Sequence, residues 1–292
     1  MQSPTDLLLD ATAATRRGEL DRALTGAAEA LALFRARGDA DGRARAVNLL
    51  GAIAFERGDL AAAEGRFAEA LSLAITLGEP TLAARASNNL ASVAHLRGRP
   101  ESALSLYRTA LLSYQRLGDR RGMAETWHNL ALTFRDLERP AEADTSSAEA
   151  VRHAGLIGDA ATLALATTGR AEAALLRNDL EVAERAIERA LALAVEGNDP
   201  LGAVEARHLR ARLLLRRGAA SAALDEALGA REIARELGSA LLAAECTAVA
   251  ALAARRTGWS EEAERYREEA RASFGELDAT NYLRRFDEAW EE

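Results

Sequence analysis

The sequence contains no lysine, so all 37 of its fixed basic side chains are arginines. Every such cation is therefore a planar fork of donors rather than a point charge, although arginine-only usage also fits a GC-rich coding sequence and needs no functional reading. There is one cysteine, Cys246, which has no partner for an internal disulfide. Aromatic residues make up only 4% of the chain, which argues against sheets, since these favour aromatic and β-branched side chains. No apolar run approaches the ~18–20 residues of a membrane span. The opening segment MQSPTDLLLDA has no basic stretch followed by an apolar core, the mark of a secretory signal. These absences favour a cytoplasmic protein without membrane partners. A basic excess is also missing: the net charge is −8 and the pI about 5.3, which disfavours direct nucleic-acid binding.

What is present is a helical composition, rich in Ala, Leu, Arg and Glu, organised on a strict grid. Positions 18, 58, 98, 138, 178, 218 and 258 read Gly, Gly, Gly, Glu, Asn, Gly and Gly. Halfway between them stand Gly38, Gly78, Gly118, Gly158, Asn198, Gly238 and Asp278. Gly and Asn are the residues that best tolerate a left-handed backbone, so the grid marks helix ends. Five residues after each anchor comes an alanine, from Ala23 to Ala263; twelve residues after comes another, from Ala30 to Ala270. Small residues at fixed helical positions let a neighbouring helix approach closely. Pro80, Pro100, Pro140 and Pro200 obey the same spacing, as expected at a first helical position. Asp59, Asp199 and Ser260 sit where N-caps belong, and Ser3 with Pro4 begins the first helix.

The expectation is an all-α solenoid. Residues 1–278 form seven forty-residue repeats, each an antiparallel helix pair, and 279–292 form a closing helix. In that tail Leu283, Phe286 and Trp290 share one face, suited to covering the last pair. No linker or second domain is visible.

These columns resemble the tetratricopeptide repeat, whose pattern runs Trp-x2-Leu-Gly-x2-Tyr, then Ala-x3-Phe, then Ala. Leu50-Gly51 is followed by Ala63, Phe67 and Ala70; Leu90-Ala91 by Ala103, Tyr107 and Ala110. Trp127, Leu130-Ala131 and Phe134 are followed by Ala143 and Ala150. The period exceeds the usual 34, as in variants found in bacterial regulators and adaptors. The first helices of the last three repeats depart from the pattern. The resemblance implies a right-handed superhelix whose groove, lined by the first helix of each pair, holds a protein or peptide segment, without catalysis, cofactor or metal. The alternative it implies is a sensor or assembly arm of a bacterial transcription regulator or signalling ATPase whose effector domain lies elsewhere.

Candidate groove residues follow from a first-helix stripe spaced 3, 4, 3, which lies on one face. Unlike the packing columns, this stripe changes residue type at nearly every repeat. The second repeat gives Arg45, Asn48 and Phe55. The third gives Arg85, Asn88, Ser92 and His95, with Asn89 alongside. The fourth gives Glu125, His128 and Arg135, with Asn129 alongside. The fifth to seventh give runs such as Glu205, His208 and Arg212, and Glu245, Ala248, Leu252 and Arg255. Asparagine amides offer donors and an acceptor to a peptide backbone, and arginines offer planar contacts to carboxylate or phosphate. The amides equally suit bonds between neighbouring helices. The four histidines show no metal-binding spacing, and Cys246 falls in an alanine packing column. Self-association through the frayed last repeat is a further expected mode.

Two Arg-Gly-Asp tripeptides, at 37–39 and 57–59, fall on the grid. They read as helix punctuation rather than as adhesion ligands.

Overall fold

The computed structural model describes residues 2–291. Met1 and Glu292, the outermost residues of the two expected segments, lie outside the described residues. The chain is an all-α solenoid of seven helix pairs. They are α1 (Pro4–Arg16) with α2 (Leu20–Ala36), α3 (Ala40–Glu56) with α4 (Leu60–Leu77), and α5 (Pro80–Leu96) with α6 (Pro100–Leu117). Next come α7 (Arg120–Asp136) with α8 (Pro140–Gly155), and α9 (Ala160–Leu176) with α10 (Leu180–Glu196). The series ends with α11 (Pro200–Arg216) and α12 (Ala220–Glu236), α13 (Ala240–Thr257) and α14 (Ser260–Glu276), and a last helix, α15 (Thr280–Glu291).

All fourteen grid positions have positive φ, including the non-glycines Glu138, Asn178, Asn198 and Asp278. At Arg57-Gly58-Asp59, the Asp59 N–H donates back to the Ala54 carbonyl at 2.9 Å and closes α3. Its own carboxylate then accepts from the Ala62 N–H at 2.9 Å and caps α4. One residue thus ends one helix and begins the next, which is why the turns are so short. Arg57 pairs with Asp21 on the preceding repeat. The same cap recurs at Asp39, Asp119, Asp159, Asp179 and Asp199. Ser260 is a correction: the cap position is occupied by Trp259, and Ser260 is the first helical residue. The cap falls one residue after each anchor, and Ser260 stands one residue too late.

Both alanine columns are buried along the array. The space beside them is filled by Phe67, Tyr107, Tyr114 and Phe274, among the largest fully buried side chains; each such burial contributes roughly 1.5–3 kcal/mol. The first helices of successive pairs touch one another, from α1 against α3 to α11 against α13. The second helices form no such row among the described residues. The first helices therefore make the inner layer.

The superhelix closes on itself. Leu237, at the end of α12, presses on Gly18, and one repeat further Leu277, at the end of α14, presses on Gly58. A Cβ on Gly58 would stand 2.0 Å from Leu277 Cδ2. The same contact is thus made twice, between turns five and a half repeats apart. Arg97 adds an ion pair to Asp278 at 2.8 Å. Helix α15 packs its Phe286, Leu283 and Trp290 into the last-pair core. It also reaches across the interior to α5.

Candidate binding site

Closure turns the groove into an interior cavity of two chambers. The first, about 380 Å³, lies between α3, α5 and α7 on one side and α11, α13 and α15 on the other. Its wall includes Glu56, Glu125, Glu205 and Glu245. None of these four has an ion-pair or side-chain hydrogen-bond partner among the described residues. Burial pushes Glu56 and Glu245 up to about 7 and Glu205 up to about 8; neighbouring carboxylates add to the rise at Glu56 and Glu205, while Arg135 offsets part of it at Glu245. Burial likewise raises Glu125, partly offset by Arg85. An uncompensated carboxylate away from bulk water prefers its neutral form.

The second chamber, about 500 Å³, opens beside the first and shares Glu245 and Tyr282 with it. Its wall carries Arg212, Arg216, Arg255, Arg256 and Arg285, set against the rings of Phe274 and Phe286. Arg255 bonds the Trp290 carbonyl and lies 5.1 Å from the Trp290 ring centroid. Arg256 donates to the Leu215 carbonyl at 3.0 Å. Arg216 has no ion-pair or hydrogen-bond partner among the described residues.

A buried ionic cluster ties the last helix to the inner layer beside the chambers. Asp136, with a side chain 2% exposed, accepts from His95 Nε2 at 2.7 Å and from Arg135 Nε at 2.6 Å. Across the interior it also receives Arg285 at 3.0 Å and the Asn281 amide. Arg135 continues to Glu172 at 2.7 Å, which takes Arg212 at 2.6 Å. Burial alone would raise Asp136, but Arg135, Arg285 and His95 hold it well below the usual carboxylate range. Glu172 is likewise held low against its burial by Arg135 and Arg212. Burial lowers His128 to about 4 and His208 to about 3, so both are neutral near pH 7.

The structure brings most of the expected residues together. Phe55, Asn88, Asn89, Ser92, His95, Glu125, His128 and Asn129 all line the first chamber. The amides are partly spent between helices: Asn89 donates to Asn48 at 3.3 Å, Thr126 donates to Asn88 at 3.0 Å, and Asn129 donates to Ser92 at 3.4 Å. Arg135 lies in the ionic cluster. Arg45 and Arg85 stand outside the chambers, exposed on the rim; Arg45 pairs with Asp41 at 2.9 Å. Asp136, Glu56, Tyr282 and Arg285 were missed. Asp136 and Glu56 sit one residue past the stripe, and the tail residues enter only through closure. Cys246 is fully buried, and burial pushes its thiol up.

Residues 82–155 match the family model described as Tetratricopeptide repeat. No curated protein matches the chain in sequence. Among solved structures, a Rap protein complexed with Competence and Sporulation Factor is similar at 15% identity and a TM-score of 0.65, over 99% of this chain and 98% of that one. The apo form of RapI is similar at 13% identity and a TM-score of 0.56, over 88% and 99%. A signal-transduction ATPase from Pyrococcus horikoshii with a tetratricopeptide repeat sensor gives 16% identity and a TM-score of 0.58, over 91% of this chain and 42% of that one. At these identities the likeness is one of fold. No helix among the described residues is long and apolar enough to cross a membrane.

Proposed function

We propose, from the premise that the chain belongs to the tetratricopeptide repeat family, that it is a non-catalytic scaffold binding a peptide in its closed interior. The observation that carries this reading is the cavity. Its wall takes much of the variable first-helix stripe, while the alanine columns are spent on packing. Pockets that mix a few polar groups with apolar walls are the default sites for ligands. The interior is reached by a free chain end more readily than by a loop of a folded protein, because closure has removed the open side of the groove. The complex of the similar Rap protein with a named factor agrees with this reading. A second reading, a sensor arm of a larger signalling ATPase, is supported by the likeness to 42% of a Pyrococcus protein described as having a tetratricopeptide repeat sensor. The two are compatible, since a sensor must bind something.

The test is affinity selection from a random short-peptide library. The native chain enriches peptides; Ala289→Trp, which places a bulky ring at the second chamber, does not, at an unchanged melting temperature. Equal enrichment by both, or by neither, overturns the proposal.

A further inference from the structure

The two chambers adjoin at Glu245 and Tyr282 and differ in their walls: carboxylates that a cation can ionise in the first, permanent cations in the second. The first carries four carboxylates, none of them ion-paired among the described residues, although Arg85 acts on Glu125 and Arg135 on Glu245 from a distance. The second carries arginines, of which Arg212 and Arg285 are neutralised by Glu172 and Asp136. Arg216, Arg255 and Arg256 are left without an acidic partner. The carboxylates do not converge closely enough to hold a metal ion together, so a spread organic cation suits them better. A separate observation also points to a ligand. Asn88 is 5% exposed, and its Oδ1 is used by Thr126. Its Nδ2 has no partner among the described residues and lies at the chamber wall. The amide is therefore a free donor at the cavity surface, placed to bond a peptide carbonyl.

We propose that the cavity takes a short free peptide lengthwise and in one direction. Its ammonium end and a basic side chain lie among Glu56, Glu205 and Glu245, and its carboxylate end lies at Arg216, Arg255 and Arg256. This rests on the peptide-binding reading above. A free peptide is positive at its first residue and negative at its last; its ammonium favours the charged form of the carboxylates beside it, while the arginines attract only its carboxylate, so the two chambers order it. Arginine forks match the terminal carboxylate in plane; Arg216, Arg255 and Arg256 are exposed, so this end of the contact weakens as salt rises. Tyr282 and Glu245, shared by both chambers, mark the crossing point.

The experiment compares two peptide libraries of equal composition and net charge, Arg-X-X-X-Asp and Asp-X-X-X-Arg, both with free ends. Binding is read by affinity-selection mass spectrometry. The first library is expected to be enriched at least tenfold over the second. Glu205→Gln and Arg216→Gln, which remove no ion pair of the folded chain, are each expected to reduce that ratio severalfold without lowering stability. Equal enrichment of the two libraries overturns the ordering while leaving peptide binding intact. Preference for the reverse order overturns it too. If neither library is enriched although random peptides are, charge order is not what the cavity reads, and the inference falls alone.

Discussion

The two chambers share a wall and part in everything else. One is lined by carboxylates that burial keeps near neutrality; the other by guanidinium groups that remain charged at any ordinary pH. Part of the difference comes from a single stripe of first-helix positions; Glu56, Arg216, Arg256 and Arg285 lie off it. Along it, Glu125, Glu205 and Glu245 stand early in their helices, whereas Arg212 and Arg255 stand late. Arginines near helix C-termini also complement the helix dipole, so their placement serves folding as well as the site. In a repeat array each helix can carry its own charge at each level, while the packing columns stay fixed.

The largest expected effect removes the tie between the last helix and the inner layer. Asp136→Ala leaves the buried Arg135 with Glu172 alone and the half-buried Arg285 without its carboxylate, and breaking such a cluster costs about 3–5 kcal/mol. Chemical denaturation checks this. Loss of less than ~1 kcal/mol would mean that the chambers stand without the cluster. A smaller effect comes from the seam. Gly58→Val places a β-branched residue at φ +80 against Leu277, whereas Gly38→Val meets the same backbone strain (φ +68) in open space. Gly58→Val is expected to destabilise by roughly 1 kcal/mol more than Gly38→Val. Equal losses would show that closure contributes little.

The smallest effect distinguishes the chambers by pH. Glu56, Glu205 and Glu245 have folded values raised to about 7, 8 and 7. The folded chain therefore binds more protons than the unfolded chain above the ordinary carboxylate range, and its stability falls as pH rises towards these values. His128 and His208, with lowered folded values, lose stability only as pH drops below about 6.5. Between pH 6.5 and 8 the carboxylates act alone, and the melting temperature is expected to decline. Glu205→Gln flattens that decline. A slope unchanged by Glu205→Gln would show that this carboxylate does not titrate in that window. The arginines of the second chamber contribute no slope there.

Much of the fold was legible because the information is local and repeated. Each glycine or Asn of the grid marks a left-handed turn, and each alanine column marks a close approach. The candidate site was legible as far as the stripe reached: Asn88, Ser92 and His128 line the chamber as their spacing implies. What escaped depends on contacts between distant turns. Nothing near Asp136 announces Asn281 and Arg285, which lie 145 and more residues away. Nothing near Gly58 announces Leu277. Arg45 and Arg85 follow the stripe, but closure places the interior elsewhere and leaves them on the rim.

The paired seam has a consequence for how such a chain changes over evolutionary time. An open solenoid gains or loses a repeat at modest cost, because each unit meets only its neighbours. Here Leu237 finds Gly18 and Leu277 finds Gly58 only because a fixed number of helices intervenes. Deleting or duplicating one internal repeat would bring a different pair of turns to the meeting point and move α15 away from Asp136. The ring thus counts its own units, and the length of the array is a property of the tertiary structure as much as of the gene.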